Sequence, residues 1–188
     1  QFLPGVSRYS NNQNKHHEEH DKILYLPKFP RPFGYIYDSC IVKNFKKYYE
    51  NRIDFLEDFH NTKYKDKIVL KIHHSKHKGF NEEELMKSIY PNFENIKYFN
   101  NKLKISNCAL IYTDYLSASI YEAFVLNTPI IMMFHTDINI PSKEFEYFIN
   151  KFKNVGIAFD TPQKASEKIK EIYENRNEFW NSLEIQNI

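Results

Sequence analysis

Ala109-Leu110-Ile111-Tyr112, then Asp114-Tyr115-Leu116-Ser117-Ala118-Ser119-Ile120-Tyr121-Glu122-Ala123, then Pro129-Ile130-Ile131-Met132-Met133-Phe134 is the stretch that decides the fold. Its first and last segments are short and wholly apolar, the pattern of strands buried on both faces. Between them, residues 117–126 read as a helix that opens directly after the first strand. Strand, helix and a second buried strand in so short a span make a βαβ unit, and such units build parallel sheets.

The same alternation continues outward. Ile23-Leu24-Tyr25-Leu26 is an apolar run ending at Pro27, and Ile68-Val69-Leu70-Lys71-Ile72 is a second. Residues 96–99 read as a short strand, and Ile157-Ala158-Phe159 as the last. Ile41, Phe45, Tyr48 or Tyr49, Ile53 and Leu56 recur at helical spacing and predict an amphipathic helix over 41–59. Asn81 with Glu84 three residues on is a capping-box pattern, and that helix must stop before Pro91. A connector, partly helical, follows at 102–106. A helix over 144–152 puts Phe145, Tyr147, Phe148 and Phe152 in the core, and Gly156 ends it. Thr161 caps the next helix, with Ala165, Ile169, Ile172 and Tyr173 inward, and 176–188 reads as one further helix carrying Phe179 and Trp180. The expectation is an α/β fold: a doubly wound, mainly parallel sheet with helices on both faces and right-handed crossovers. Residues 22–188 form this domain, and residues 1–21, polar and without periodicity, a linker or tail. The chain opens with Gln1 rather than Met, so a fragment of a longer protein is expected.

Composition narrows the function. In 188 residues, 41% hydrophobic content supports a core for one domain. Lys+Arg 26 against Asp+Glu 24 leaves no basic field for nucleic acid. No apolar run reaches the ~18 residues of a membrane helix, and the first residues show no signal pattern. Cys40 and Cys108 are far apart and read as reduced, buried thiols. His16-His17-Glu18-Glu19-His20 could set two histidines on one helix face, but a zinc site needs about three or four ligands on a rigid frame. That run reads as a solvated polar tail, and no metal site is expected.

A doubly wound sheet binds ligands at the carboxyl ends of its strands. Here those ends are followed by residues 28–39, 72–80, 114–119 and 135–140. Ser117 and Ser119 fall at a helix start, where backbone N–H groups lack internal acceptors and the dipole favours an anion. Glu122, one turn deeper, can accept both hydroxyls of a ribose. Lys71 and His73, with His74, Lys76 and Lys78 behind them, lie at the end of the second strand. Arg31 and Gly34 lie in the loop after the first. Each has a plainer reading beside this one: a cap, a turn or a solvated basic loop. Asp114 could be a helix cap or a polar site group and reads as the cap, and neither cysteine reads as a nucleophile.

Ser119-Ile120-Tyr121-Glu122-Ala123, with Thr128-Pro129 leading the next strand, resembles the donor-binding half of B-fold glycosyltransferases. In those enzymes a serine or threonine at the helix start holds the donor diphosphate and a glutamate three positions on holds the ribose. A proline seven positions after the glutamate opens the next strand. With Asn127-Thr128-Pro129-Ile130-Ile131, Val155-Gly156-Ile157-Ala158-Phe159 and Phe179-Trp180-Asn181-Ser182-Leu183-Glu184-Ile185-Gln186, the chain from about Ile23 onward resembles a bacterial family of transferases of surface-carbohydrate biosynthesis. The resemblance implies one Rossmann-like half of a B fold, binding a nucleotide-sugar for transfer to a cell-surface polysaccharide, glycan or lipid-linked acceptor. It implies a catalytic base from a missing N-terminal domain, no essential metal or cofactor, and a cytoplasmic place, peripheral at the inner membrane face through the rest of the protein. Arg31 and Gly34 would face the donor pyrophosphate, and Lys71 stands where these enzymes often carry an arginine. The glycine that many of them place ahead of the serine is absent; Leu116 and Ala118 stand nearby. Other outcomes for the same residues are nucleotide-sugar epimerisation, polyol-phosphate transfer, or a non-catalytic interaction module.

Overall fold

Among the described residues, six strands, all parallel, form one sheet in the order β3-β2-β1-β4-β5-β6. They are β1 (Ile23–Leu26), β2 (Ile68–Leu70), β3 (Lys97–Tyr98), β4 (Leu110–Thr113), β5 (Ile130–Met133) and β6 (Ala158–Phe159). The helices are α1 (Val42–His60), α2 (Glu82–Ile89), α3 (Ala118–Val125), α4 (Lys143–Asn154), α5 (Pro162–Ile172), α6 (Arg176–Trp180) and α7 (Leu183–Gln186). The computed structural model describes residues 21–29, 42–72, 81–93, 97–98, 105–135 and 142–188. The His16–His20 run, Arg31, Gly34, Cys40, Ile41, His73 and the basic residues after it lie outside the described residues.

The strand order makes the fold a doubly wound, Rossmann-like one. From β1 the chain crosses towards β2, and from β4 towards β5. The two central strands therefore send their chains in opposite directions, and a crevice opens between them at their carboxyl ends. Right-handed crossovers then put the two sets of helices on opposite faces. On one face α1 meets α2 through Arg52 and Glu82, and meets α5 through Asp58 and Ser166. On the other, Phe124 of α3 lies 5.8 Å from the Phe152 ring of α4 and 5.6 Å from the Trp180 ring of α6.

Every residue of β1, β4 and β5 is buried, as strands covered on both faces must be. Between the sheet and α1, Tyr112 stacks on Phe55 at 3.7 Å, and Tyr25 tilts against both, 5.1 Å from Phe55 and 4.7 Å from Tyr112. Two helices stop by the same local device. Gly156, at φ +74°, donates to the Lys153 carbonyl while the Ile157 amide reaches back to Phe152. Asn127, at φ +50°, donates to Phe124 while the Thr128 amide reaches back to Ala123. Both are left-handed closures that glycine and asparagine adopt most easily.

Three sequence expectations need correction. The tail is two short helices rather than one: Asn181 closes α6, and Ser182, with extended backbone, restarts the chain into α7. Both residues compete for backbone hydrogen bonds with their own side chains, which weakens a helix interior. Tyr147 and Phe148 are 59% and 45% exposed, not core. The inward stripe of α4 is Phe145, Ile149 and Phe152, at i, i+4 and i+7, and the other two aromatics lie off it. Cys108 is only half-buried, although burial still pushes its thiol up to about 12. Among the described residues, no helix is long and apolar enough to cross a membrane.

Candidate functional site

β4 ends at Thr113, and four residues later Ser117 takes the N-cap position of α3 with extended backbone. At α2, α4 and α5 the cap side chain accepts from the amide three residues on: Asn81 from Glu84, Ser142 from Phe145, Thr161 from Lys164. Ser117 does not. Its hydroxyl is buried and has no hydrogen-bond partner; the Tyr115 phenol is beside it at a geometry short of a hydrogen bond. The Ile120 amide is taken by the Ser117 carbonyl at 3.1 Å. The Ala118 and Ser119 amides, at the first two helical positions, have no acceptor inside the helix. A buried hydroxyl costs free energy until something bonds it, and unclaimed amides at a helix start attract an anion. Ser119 and Glu122, three apart on α3, share a face and are both half-buried.

Lys71 follows β2 directly, and its amide extends the ladder by donating to the Tyr25 carbonyl at 2.9 Å. β1 separates β2 from β4. That puts Lys71 at the same edge as α3 but two strand spacings away, about 10 Å. Of the residues singled out from the sequence, the structure therefore groups Ser117, Ser119 and Glu122 on one helix and sets Lys71 apart. His73, Arg31 and Gly34 lie outside the described residues.

A buried polar network beneath this edge was not read from the sequence. Asp114 is not a cap. It is 1% exposed and turns back to β1, accepting from the Tyr25 hydroxyl at 2.7 Å and the Lys28 amide at 2.5 Å. Ser117, three residues further on, already holds the cap position, so the carboxylate finds its partners across the sheet. Burial raises the Asp114 pKa, against the pull of Arg52, the Tyr25 hydroxyl and the Lys28 amide. Arg52 of α1 is fully buried; it pairs with Glu82 at 2.7 Å, donates to the Lys28 carbonyl at 2.7 Å, and lies 4.7 Å over the Tyr49 ring. Burial alone would lower the guanidinium pKa, but Glu82, Tyr25, Asp114 and Tyr49 outweigh it and hold it above its ordinary value. Beside it, the buried Asn51 amide meets His135 Nε2 just after β5. One signal was available: position 52 falls inside the apolar stripe of α1, between Tyr48 and Tyr49 on one side and Phe55 and Leu56 on the other.

Chemically this edge offers an uncapped helix start, two hydroxyls, a carboxylate one turn down and a lysine held over the Tyr48 ring, 5.0 Å away (Lys28). Among the described residues, no group of three or more His, Cys, Asp or Glu could hold a metal ion. A cleft of about 220 Å³ opens at the opposite edge, by the amino end of β2, between His60, Lys65 and Asn92. A family model described as LIC12162 family transferase matches residues 1–188. No curated protein and no solved structure matches the chain.

Proposed function

The chain belongs to the LIC12162 family of transferases, and from that premise we propose that it is the donor-binding domain of a glycosyltransferase. In this reading it moves a sugar from a nucleotide-sugar to a cell-surface polysaccharide, a glycan or a lipid-linked acceptor. The observation that carries it is the start of α3: at the switch point, uncapped, with the Ser117 hydroxyl buried and unpartnered. The donor diphosphate lies against the Ala118 and Ser119 amides and the two serine hydroxyls. Glu122 accepts the ribose hydroxyls one turn deeper. Negative charge grows on the diphosphate as the sugar–phosphate bond breaks, so donors fixed in advance around it stabilise the transition state more than the ground state. The helix dipole contributes about 0.3–1 kcal/mol, and each hydrogen bond to the charged group about 1.5–3. The resemblance adds Lys71, His73, Arg31 and Gly34 to the proposed donor-binding set, Lys71 from about 10 Å along the same edge of the sheet. The base that activates the acceptor comes from another domain. The positive helix end takes the part that a metal plays elsewhere, and the enzyme works in the cytoplasm, at the inner face of the membrane.

A panel of UDP, CDP and GDP in thermal unfolding tests this. A bound nucleotide at about 100 times its dissociation constant adds about 2.7 kcal/mol of stability. Selective stabilisation by one of them, lost in Glu122→Ala, is the expected result. Stabilisation by none, with wild type and variant alike, would leave an interaction module instead. Incubation with nucleotide-sugars and no acceptor separates the remaining chemistry: an epimerase converts its substrate alone, whereas a transferase waits for an acceptor.

A further inference from the structure

Donor binding at α3 makes no direct use of the buried network between β1, β4, α1 and α2. At its centre is the Lys28 backbone. The Lys28 N–H donates to Asp114 Oδ1 at 2.5 Å, and the Lys28 carbonyl accepts from Arg52 Nη2 at 2.7 Å. One residue is gripped on both sides by buried side chains of opposite charge, from two different elements. Each grip is itself held: Asp114 by the Tyr25 hydroxyl at 2.7 Å, Arg52 by Glu82 at 2.7 Å. Arg52, Glu82 and Asp114 are all buried. An apolar cluster of the same volume commonly stabilises a fold as well as a buried ion pair does, or better. Buried, perturbed ionisable groups gather instead at working sites.

The place of the network indicates the work. Lys28 lies two residues beyond β1, where the chains leaving β1 and β4 diverge, and Asp114 lies three residues before Ser117. The Lys28 ammonium is 5.0 Å from the Tyr48 ring centre and forms no ion pair with a described carboxylate. The Lys28 backbone N–H, bonded to Asp114, ties it to the turn that leads from β4 into α3. Among the described residues, then, a cation with no carboxylate partner is carried by a backbone bonded to Asp114, three residues before the uncapped helix start.

We infer that Asp114 and Arg52 are positioning residues: they fix the Lys28 backbone so that its ammonium meets the outer phosphate of the ligand bound at the start of α3. The inference rests on the donor-binding reading. Lys28 touches the ligand, and the other two act through it.

The test uses whichever of UDP, CDP or GDP binds tightest, together with its monophosphate. Calorimetry gives both dissociation constants for wild type, Lys28→Met, Asp114→Asn and Arg52→Lys, each at a temperature where circular dichroism shows it folded. Lys28→Met keeps both backbone bonds and so keeps the fold. It should weaken the diphosphate about ten- to a hundredfold, the worth of one charged hydrogen bond, and leave the monophosphate nearly unchanged. Asp114→Asn and Arg52→Lys should show the same collapse of the diphosphate-to-monophosphate ratio. A merely structural loss lowers stability and leaves that ratio at its wild-type value. A wild-type ratio in Lys28→Met overturns the contact. Collapse in Lys28→Met with wild-type ratios in the other two overturns the positioning role. A wild type that binds no nucleotide refutes the donor-binding reading, and this inference falls with it.

Discussion

Glu82→Ala is the sharpest perturbation of the fold itself. Glu82 is the first residue of α2, and its carboxylate is 2.7 Å from Arg52, with both side chains at most 1% exposed. Removing it strands a guanidinium that no water reaches. Breaking a buried pair in this way costs about 3–5 kcal/mol, most of it the penalty of the unpaired charge. Glu82 also accepts from the Tyr49 hydroxyl at 3.4 Å, a bond that is lost as well. Against a typical stability of about 5–15 kcal/mol, that is about a fifth of the total or more. With a urea slope of about 2–3 kcal/mol per molar, the midpoint falls by roughly 1–2.5 M. Glu83→Ala is the matched control. It sits in the same first turn, so the loss of charge at the helix start is the same, but its pair with Lys87 at 3.0 Å is exposed and worth about 0.5 kcal/mol at most. Equilibrium urea unfolding followed by circular dichroism and Trp180 fluorescence gives both values. If the two variants fell within about 0.5 kcal/mol of each other, Arg52 would be hydrated or re-paired, and the argument from burial would be refuted.

Three further perturbations follow from named contacts. Burial raises the Asp114 pKa above 3.8, so between the unfolded and folded values the native state holds the extra proton and stability falls as pH rises. Urea midpoints from pH 4 upward should show wild type losing stability relative to Asp114→Asn across that window, and parallel curves would contradict this. Ser117→Ala removes an unpartnered buried hydroxyl, so it should leave the ligand-free midpoint unchanged or higher, whereas an ordinary cap would lose about 1 kcal/mol. The same variant should bind the nucleoside diphosphate about tenfold more weakly in calorimetry. Asn127 combines φ +50° with side-chain bonds from Trp180 Nε1 at 2.9 Å and to Asn181 at 3.3 Å. Asn127→Ala should cost about 2–3 kcal/mol and Asn127→Gly about half that, since glycine keeps the left-handed turn; equal losses in thermal unfolding would remove the conformational part.

Much of the fold was legible because parallel strands buried on both faces appear as unbroken apolar runs. Ile23-Leu24-Tyr25-Leu26 and Pro129-Ile130-Ile131-Met132-Met133 need no partner to be recognised. The caps at Asn81 and Thr161 are equally local, decided within three residues; the same device at Ser142 was not read. Asp114 misled for the opposite reason. Local rules make an acid after a strand a helix cap, but its partners are Tyr25 and Lys28, more than eighty positions earlier. Arg52 shows the same limit: its charge within an apolar stripe marks it as unusual, and only the fold shows that it reaches the Lys28 carbonyl and Glu82. Tyr147 and Phe148 were misplaced because aromatic character was read as burial, whereas the stripe of α4 passes through Phe145, Ile149 and Phe152. Ser117 caps α3, and Ser119 and Glu122 lie on it, so their nearness follows from a single short helix and its cap and needs no long-range contact.

The most direct test of nucleotide binding at the start of α3 is an amide-resonance titration of the isotopically labelled protein with UDP, CDP and GDP. Saturable shifts should centre on the Ala118, Ser119 and Ile120 amides and reach Glu122, and should vanish in Glu122→Ala. Shifts that instead cluster around His60, Lys65 and Asn92, at the opposite edge of the sheet, or none with any nucleotide, would contradict a donor site at α3.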